Sequence, residues 1–525
     1  MRLGIDFGTT RTRVAAAIEK NYPLIEFEHE SGFRQNWYPS LIAVRGDETT
    51  FGLDALPLQY DAAWELCPSF KRYLSGGHPQ TIMAIGRVKQ SLLDWLTQFL
   101  ACLRQDLLTR SSLDVPSQEP FQVMVGIPTN ANSNQRFLTL EAFRRANFEV
   151  LGMINEPSAA GIEFNYRYGQ TDEVHEGKHL IVYDLGGGTF DVSVIRITGR
   201  RHEVISSEGI SQLGGDDFDR QLLGAALSQS SLPQSLRRPF SLAASGIIIP
   251  PLFSNVRPRL LHLCREAKES IRPNTRKISI DFGQINEGAD VVLVPISQFY
   301  GKCEPLISRT IEQTELVLQS VLHELGPEYE SVASVYLVGG SCDLPILARA
   351  LREHFGKHVR RSPYPSAATA VGLAIAADLE SGYSLEERFS RFFGVWRESE
   401  DGSKISFDPM FAKDTVLPPL GQSPLQVLRR YRPVHNIGHF RYLECSSLEN
   451  VTHDPCGDII AWDEVYFPYD PSLKSECRLD QIPIERCKEA ELDWIEELYE
   501  CDPHGIIQVT ISNQTAGYFR NFRIR

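Results

Sequence analysis

The 525-residue chain contains no run of about eighteen consecutive apolar residues, the length a helix needs to cross a bilayer, so no membrane-spanning helix and no membrane partner are expected. Its ten cysteines form no CxxC pair, which leaves zinc ligation and dithiol redox chemistry unsupported and reads as free thiols in a reducing cytosol. A surplus of positive charge is missing as well. With 53 Lys and Arg against 67 Asp and Glu the formal net charge is −14, which argues against nucleic acid as a partner, because a phosphate backbone calls for a basic face. Met1-Arg2-Leu3 leads directly into an apolar segment, so no secretory leader is expected and a cytoplasmic location follows.

What is present reads as soluble and globular, with 42% hydrophobic and 23% charged residues. Strand-like and helix-like segments alternate from Met1 to about Asp378, the pattern of an α/β architecture. Apolar runs predict buried strands at Arg2–Asp6, Thr12–Ile18, Phe121–Ile127, His179–Tyr183, Asp191–Ile197, Lys277–Asp281 and Ser334–Val338. Helical spacing marks Asn134–Phe148, Ser308–Leu325 and Pro345–Phe355. Past Asp378 the texture changes. Leu379–Arg391 is charged and reads as a linker or helix end, and Phe392–Arg525 reads as short strands broken by Gly, Pro, Asn and Asp turns, a separate β domain. Within it, Ile484–Leu498 is expected to form a short helix.

One internal repeat carries chemistry. Gly4-Ile5-Asp6-Phe7-Gly8-Thr9-Thr10 followed by Val14–Ile18 is echoed by Asp184-Leu185-Gly186-Gly187-Gly188-Thr189 followed by Val192–Ile195. Each copy is a strand, an Asp, a Gly/Thr turn and a second strand, which suggests a duplicated lobe. A nucleotide triphosphate concentrates negative charge, and glycines let backbone N–H groups approach it closely. Gly8, Thr9 and Thr10 supply one such cradle, and Gly186, Gly187, Gly188 and Thr189 a second. Asp6 and Asp184, each ending a strand before its cradle, can hold Mg²⁺ through its waters. Val335–Val338 opens through Gly339 and Gly340 into a helix, which suits a phosphate or ribose and equally suits plain packing. Glu156, at a strand-to-helix junction, can orient water or simply complement a helix dipole.

These segments resemble the seventy-kilodalton heat-shock chaperone family. The resemblance rests on Gly4–Val14, Phe70-Lys71-Arg72, Val125–Arg136, Ile154–Ala160, Tyr183–Ile197, Leu213–Asp219, Cys264–Lys268, Leu337–Ser341 and Ala370–Ala377, in order across the first 378 residues. It implies an actin-like, ribonuclease H-like duplicated two-lobe ATPase domain over 1–378, a linker over 379–391, and a β-sandwich-like substrate-binding domain over 392–525. It further implies that Lys71, Glu156, Thr189 and Asp191 act at the γ-phosphate and its attacking water. Gly214, Gly215 and Lys268 join the nucleotide contacts, and Pro128 and Arg136 relay nucleotide state. Two positions depart from the family pattern. Glu269 and Asp343 stand where basic residues usually sandwich the adenine, and a carboxylate cannot stack as a guanidinium does. Arg272 or Arg265 are candidate substitutes. The linker Glu386–Arg391 is polar, and with the chain ending at Arg525 no helical lid is expected.

The expected function is therefore an ATP-dependent chaperone of slow ATPase activity, using ATP/ADP and Mg²⁺ and binding extended or unfolded polypeptide. A J-domain-type co-chaperone and a nucleotide-exchange factor are the further candidate partners. The alternatives are a nucleotide-binding scaffold with weak or no hydrolysis that holds one protein, and a small-molecule kinase of the actin-like superfamily.

Overall fold

The computed structural model describes residues 1–169, 178–230, 256–285, 290–325, 332–356, 359–399, 404–449, 451–462 and 464–523. The last two residues of the β domain expected at Phe392–Arg525 lie outside them. The chain divides into two compact units, one of residues 1–129 with 139–385 and one of 130–138 with 386–525.

The first unit is α/β and holds two mixed sheets of the same plan. In the first, Glu149–Asn155, Gln122–Ile127 and Arg2–Asp6 run parallel, and Arg11–Ala16 returns antiparallel to Arg2–Asp6. In the second, Val359–Arg361, Val332–Val338 and Lys178–Leu185 run parallel, and Phe190–Thr198 and Arg201–Ile210 follow antiparallel. Leu3, Ile5, Val14, Val123, Val125, Leu180, Val182, Val192 and Val194 are fully buried, which is why these strands read as continuous apolar runs rather than as alternating ones. In both sheets the strand that carries the aspartate is central, with Asp6 its last residue in one and Asp184 its last but one in the other, so the two come to equivalent ends of equivalent strands.

Small residues let helices approach this framework. The helix Ala368–Ala377 packs on Arg2–Asp6 and on the helix Glu156–Tyr168. A Cβ on Gly372 would fall 1.8 Å from the Ala159 carbonyl oxygen, so the position admits only glycine. Lys277–Asp281 and Pro345–Phe355 are found with the expected bounds, and the helix expected at Asn134–Phe148 spans Ser133–Arg145. The helix expected from Ser308 instead begins at Ile296 and runs to Ser320, through Pro305. A proline ring clashes with the carbonyl four residues earlier, and here that residue is Gly301. Its buried face of Phe299, Cys303, Ile307, Thr310, Thr314 and Val317 keeps helical spacing across the proline.

The second unit carries two antiparallel four-stranded sheets around one core. One orders Lys404–Phe411, Phe392–Ser399, Tyr442–Leu448 and Pro455–Ala461; the other orders Leu425–Tyr431, Ile495–Cys501, Ile507–Asn513 and Tyr518–Arg523. Phe393, Val395 and Tyr442 of the first meet Ile495, Tyr499, Val509 and Ile511 of the second. The short helix expected at Ile484–Leu498 is absent. That stretch gives a 3-10 turn at Ala490–Leu492 and then the strand from Ile495. The strand alternates Ile495, Glu497, Tyr499 and Cys501 inward, and the buried Glu497 disguises the pattern. Its carboxylate takes two bonds from Arg397, at 3.1 and 2.7 Å, so the inward charge is paired.

Among the described residues no helix is long and apolar enough to cross a membrane. All ten cysteines are free thiols.

His202 gives the first unit a pH response. It is fully buried and stacked against Tyr383, with ring centroids 5.7 Å apart. Burial disfavours the imidazolium and brings its pKa from 6.5 down to about 4. The unfolded chain therefore binds a proton that the folded chain refuses, and the stability present above pH 6.5 is lost as pH falls toward about 4. Replacing His202 by Gln should flatten the fall in unfolding free energy across that window, by roughly 3 kcal/mol at its acid end. Denaturant titrations of parent and variant at several pH values check this, and equal slopes would assign the fall to other groups.

Candidate functional site

The two hairpins face one another across a cavity of about 1060 Å³ in the first unit. The Gly8 N–H donates to the Asp6 carbonyl at 2.9 Å, and the Gly186 N–H to the Thr189 carbonyl at 3.0 Å, so each turn closes on itself. A side chain at Gly187 would put its Cβ 2.9 Å from Thr10 Oγ1, and one at Gly188 would sit 2.7 Å from Thr9 Oγ1. Only bare backbone allows the turns to come this close. The helix Gly215–Leu227 starts against the second turn, with the Gly215 and Asp216 N–H groups donating to the Gly186 and Gly187 carbonyls at 3.0 and 2.8 Å. Ser341 Oγ donates to the Gly186 carbonyl and Lys268 Nζ to that of Gly215, both at 2.8 Å. Gly339 takes φ +86°, and a Cβ there would meet the Leu185 carbonyl oxygen at 2.3 Å.

Charge is crowded at the hairpin ends. Lys71 Nζ lies 2.7 Å from Glu156 Oε1, with both side chains buried. Asp191 stands opposite Asp184 on the neighbouring strand and accepts the Thr129 N–H at 2.9 Å. Burial, then the Glu156 charge, raises both Asp6 and Asp191 to about 7. Asp184 is raised as well, by burial and then by Glu156, Asp191 and Asp6. Among the described residues no three acidic, His or Cys side chains are grouped to ligate one metal ion, so a divalent cation fits here only as a hydrated ion held through its waters. On the strand beside Asp6, burial brings Arg13 down to about 10, so it stays protonated at neutral pH.

Farther along the cavity, the two carboxylates each hold an arginine. Arg11 pairs with Glu269 at 2.7 Å, its guanidinium carbon 4.6 Å from the Trp37 ring centre. Arg361 pairs with Asp343 at 2.9 Å. Arg272 turns back to donate to the Glu269 and Ile271 carbonyls. Arg265 is committed elsewhere, bonded to Asp216 at 2.8 Å and Asp219 at 3.3 Å.

A family model described as Hsp70 protein matches residues 114–390. The chain belongs to the Hsp70 family. It is 29% identical over 406 residues to a chaperone protein HscA homolog of Bordetella petrii, covering 73% of this chain and 59% of that protein. It is 30% identical over 347 residues to a heat shock cognate HSP70 protein of Trypanosoma brucei brucei, covering 61% and 48%. A chaperone protein DnaK of Mycoplasmopsis synoviae is 26% identical over 73% of this chain and 59% of its own length. The matched region thus spans less than two thirds of each of these relatives.

In this Hsp70-family chain the cavity wall brings together Asp6, Gly8, Thr9, Thr10, Lys71, Glu156, Asp184, Gly186, Gly187 and Thr189. Gly215, Lys268, Gly339 and Gly340 also line it. Gly188, Gly214 and Asp191 stand behind the wall: a Cβ on Gly214 would meet the Gly188 nitrogen at 2.6 Å, and Asp191 is buried. Pro128 follows the strand Gln122–Ile127 in the first unit, and Arg136 is grouped with the second. Sequence reasoning passed over Arg11, Arg13 and Arg361. The signal available for Arg13 was a charged residue inside an otherwise apolar strand; the partners of the other two lie too far along the chain to be read.

Arg265 is therefore expected to serve stability rather than the nucleotide base. Arg265→Met should lower the unfolding free energy by on the order of 2–3 kcal/mol, since Asp219 is left with Lys268 alone and Asp216 with Arg72. Denaturant unfolding of the variant measures this, and unchanged stability would return Arg265 to the candidates for base contact.

Proposed function

We infer that this chain binds ATP in the cavity of its first unit, hydrolyses it slowly, and acts as a chaperone-type ATPase on extended polypeptide. The observation that carries this reading is the meeting of two Asp-led Gly/Thr hairpins with the buried Lys71–Glu156 pair at one cavity. On this reading 1–378 is an actin-like, ribonuclease H-like two-lobe domain, supported by the repeated sheet order, with 379–391 as its linker and 392–525 as a sandwich-like binding domain.

Bound Mg-ATP would supply the transferable phosphoryl group and the cationic charge that the crowded carboxylates call for. The chain's own residues do the rest. The turns Gly8–Thr10 and Gly186–Thr189 offer backbone and hydroxyl groups to phosphate oxygens, and Asp6 and Asp184 hold the waters of the ion. Gly214 and Gly215 shape the second turn, while Lys268, Gly339 and Gly340 border the nucleoside side. Lys71 is fixed by Glu156, so its ammonium is held where negative charge redistributes in phosphoryl transfer. Glu156, in the cavity wall, orders water, and Asp191 backs it from behind the wall through its charge beside Asp184. Lys71→Ala should cut single-turnover hydrolysis at least about tenfold, or about 1.4 kcal/mol of barrier, with a much smaller change in ATP affinity. Labelled ATP in a single-turnover assay decides this, and hydrolysis at the parent rate would remove Lys71 from its assigned role.

For the second unit, the relatives' description as chaperones supports polypeptide binding. A J-domain-type co-chaperone and an exchange factor are the partners that the family resemblance implies. Its sheets end in four edge strands, Lys404–Phe411, Pro455–Ala461, Leu425–Tyr431 and Tyr518–Arg523, the surfaces that accept an added strand. The full chain should bind a fluorescent unfolded peptide and ignore a folded protein of similar composition. No peptide binding in an anisotropy titration would favour the second reading, a nucleotide-binding scaffold holding one protein. The carboxylates Glu269 and Asp343 at the base end of the cavity are what keep that reading in view.

A further inference from the structure

We propose that Arg13 is a phosphate-binding residue of this site, a fixed guanidinium beside Asp6 that lets the chain hold a nucleotide polyphosphate with little dependence on Mg²⁺. This rests on the nucleotide reading above and adds Arg13 to its contacts.

The register places it. In the first hairpin Asp6 pairs with Arg13, and in the second Asp184 pairs with Asp191 at the equivalent position. Directly opposed residues of an antiparallel pair share a face, so Arg13 is turned the same way as Asp6. It lines the cavity together with Asp6, Lys71 and Glu156. Thus where one hairpin sets a second carboxylate behind the cavity, the other sets a cation in its wall.

Arg13 is also held but not spent. It is 7% exposed, and a buried guanidinium needs partners for its five N–H groups. Its bonds among the described residues both leave from Nη1, to the Asn36 carbonyl at 3.0 Å and to Asn36 Oδ1 at 2.7 Å. They fix the plane and leave Nε and Nη2, one edge of the fork, for a ligand. The neighbouring cations are already engaged: Lys71 with Glu156, Arg11 with Glu269, Lys268 with Asp219. Arg13 makes no ion pair among the described residues. A planar fork with a free edge matches two phosphate oxygens, and such charge-assisted bonds are the strong ones. A cation already installed next to Asp6 also does part of the work otherwise left to the divalent ion.

Calorimetric titration of the full chain with ADP, in Mg²⁺ and in EDTA, tests this. The parent should keep its ADP affinity within about tenfold when Mg²⁺ is removed, and Arg13→Ala should lose at least about tenfold more in EDTA than in Mg²⁺. Arg13→Lys, which keeps charge without the fork, should fall between them. Should the alanine variant fail to fold, the parent alone decides: in EDTA it should bind ADP at least about tenfold more tightly than adenosine. Equal affinities for ADP and adenosine in EDTA, or an equal EDTA penalty in parent and Arg13→Ala, would overturn the proposal while Mg²⁺-dependent ADP binding left the nucleotide reading standing. A folded parent that binds no ADP in either condition would overturn both.

Discussion

The first unit is organised around an unfavourable arrangement: Asp6, Asp184, Asp191 and Glu156, all buried or nearly so, outnumber the cations beside them, the Lys71 ammonium and, next to Asp6, the Arg13 guanidinium. Like charges brought together away from water raise one another's pKa, and Asp6 and Asp191 stand at about 7. A fold keeps such a cluster only if its backbone is fixed by other means. Here two sheets of one plan each carry an aspartate at or next to the end of a central strand, and turns of glycine and threonine bring those ends together. The sheets' apolar residues meet the cost of holding these groups close, a cost of several kcal/mol for each unpaired buried ion. The site is therefore predisposed to a cation, whether a bound ion or a side chain, and Lys71, Arg13 and the glycine turns all answer that requirement.

Much of this was legible in the sequence, for definite reasons. Strands buried on both faces leave unbroken apolar runs, and an Asp followed by a Gly/Thr turn and a second apolar strand leaves a pattern that repeats. What escaped reading was pairing across distance. Arg11 and Glu269 are separated by most of the unit, so no local pattern joins them. Glu497 shows the same limit in the second unit. An inward glutamate breaks the two-residue alternation that marks a strand, and it is tolerated because Arg397, reached through the fold, and the Tyr499 hydroxyl both donate to it. The acidic stretch before it has helical composition, and tertiary pairing overrode that propensity.

The end of the cavity at Glu269 and Asp343 follows a related logic. Glu269 and Asp343 lack the planar cation that the family pattern carries there, yet each one holds an arginine from elsewhere in the chain, Arg11 from the strand after the first turn and Arg361 from the edge of the second sheet. Positive planar groups are thus retained at this wall from different positions. They are not equivalent to free arginines, because a guanidinium bound to a carboxylate carries little net charge toward a ligand.

These pairs also differ in what they can hold. Arg11–Glu269 reaches from a strand of the first sheet to the helix Val256–Glu269, but its side chains are 31% and 41% exposed. Ion pairs so open to water contribute at most about 1 kcal/mol and weaken with salt. Arg361–Asp343 is more exposed still. By contrast, Arg72 meets Asp216 and Asp217 and the Gly188 carbonyl with its side chain 14% exposed, at the foot of the hairpins. Solvent screens that group far less, and it adds to the backbone bonds that already tie Gly186 and Gly187 to the following helix. The hairpin end of the cavity is therefore set firmly by buried contacts, whereas the end at Glu269 and Asp343 is closed by pairs that salt and water can open. Selectivity for a ligand's charged end should consequently be the more robust property of this site, and discrimination at its planar end the more readily altered one.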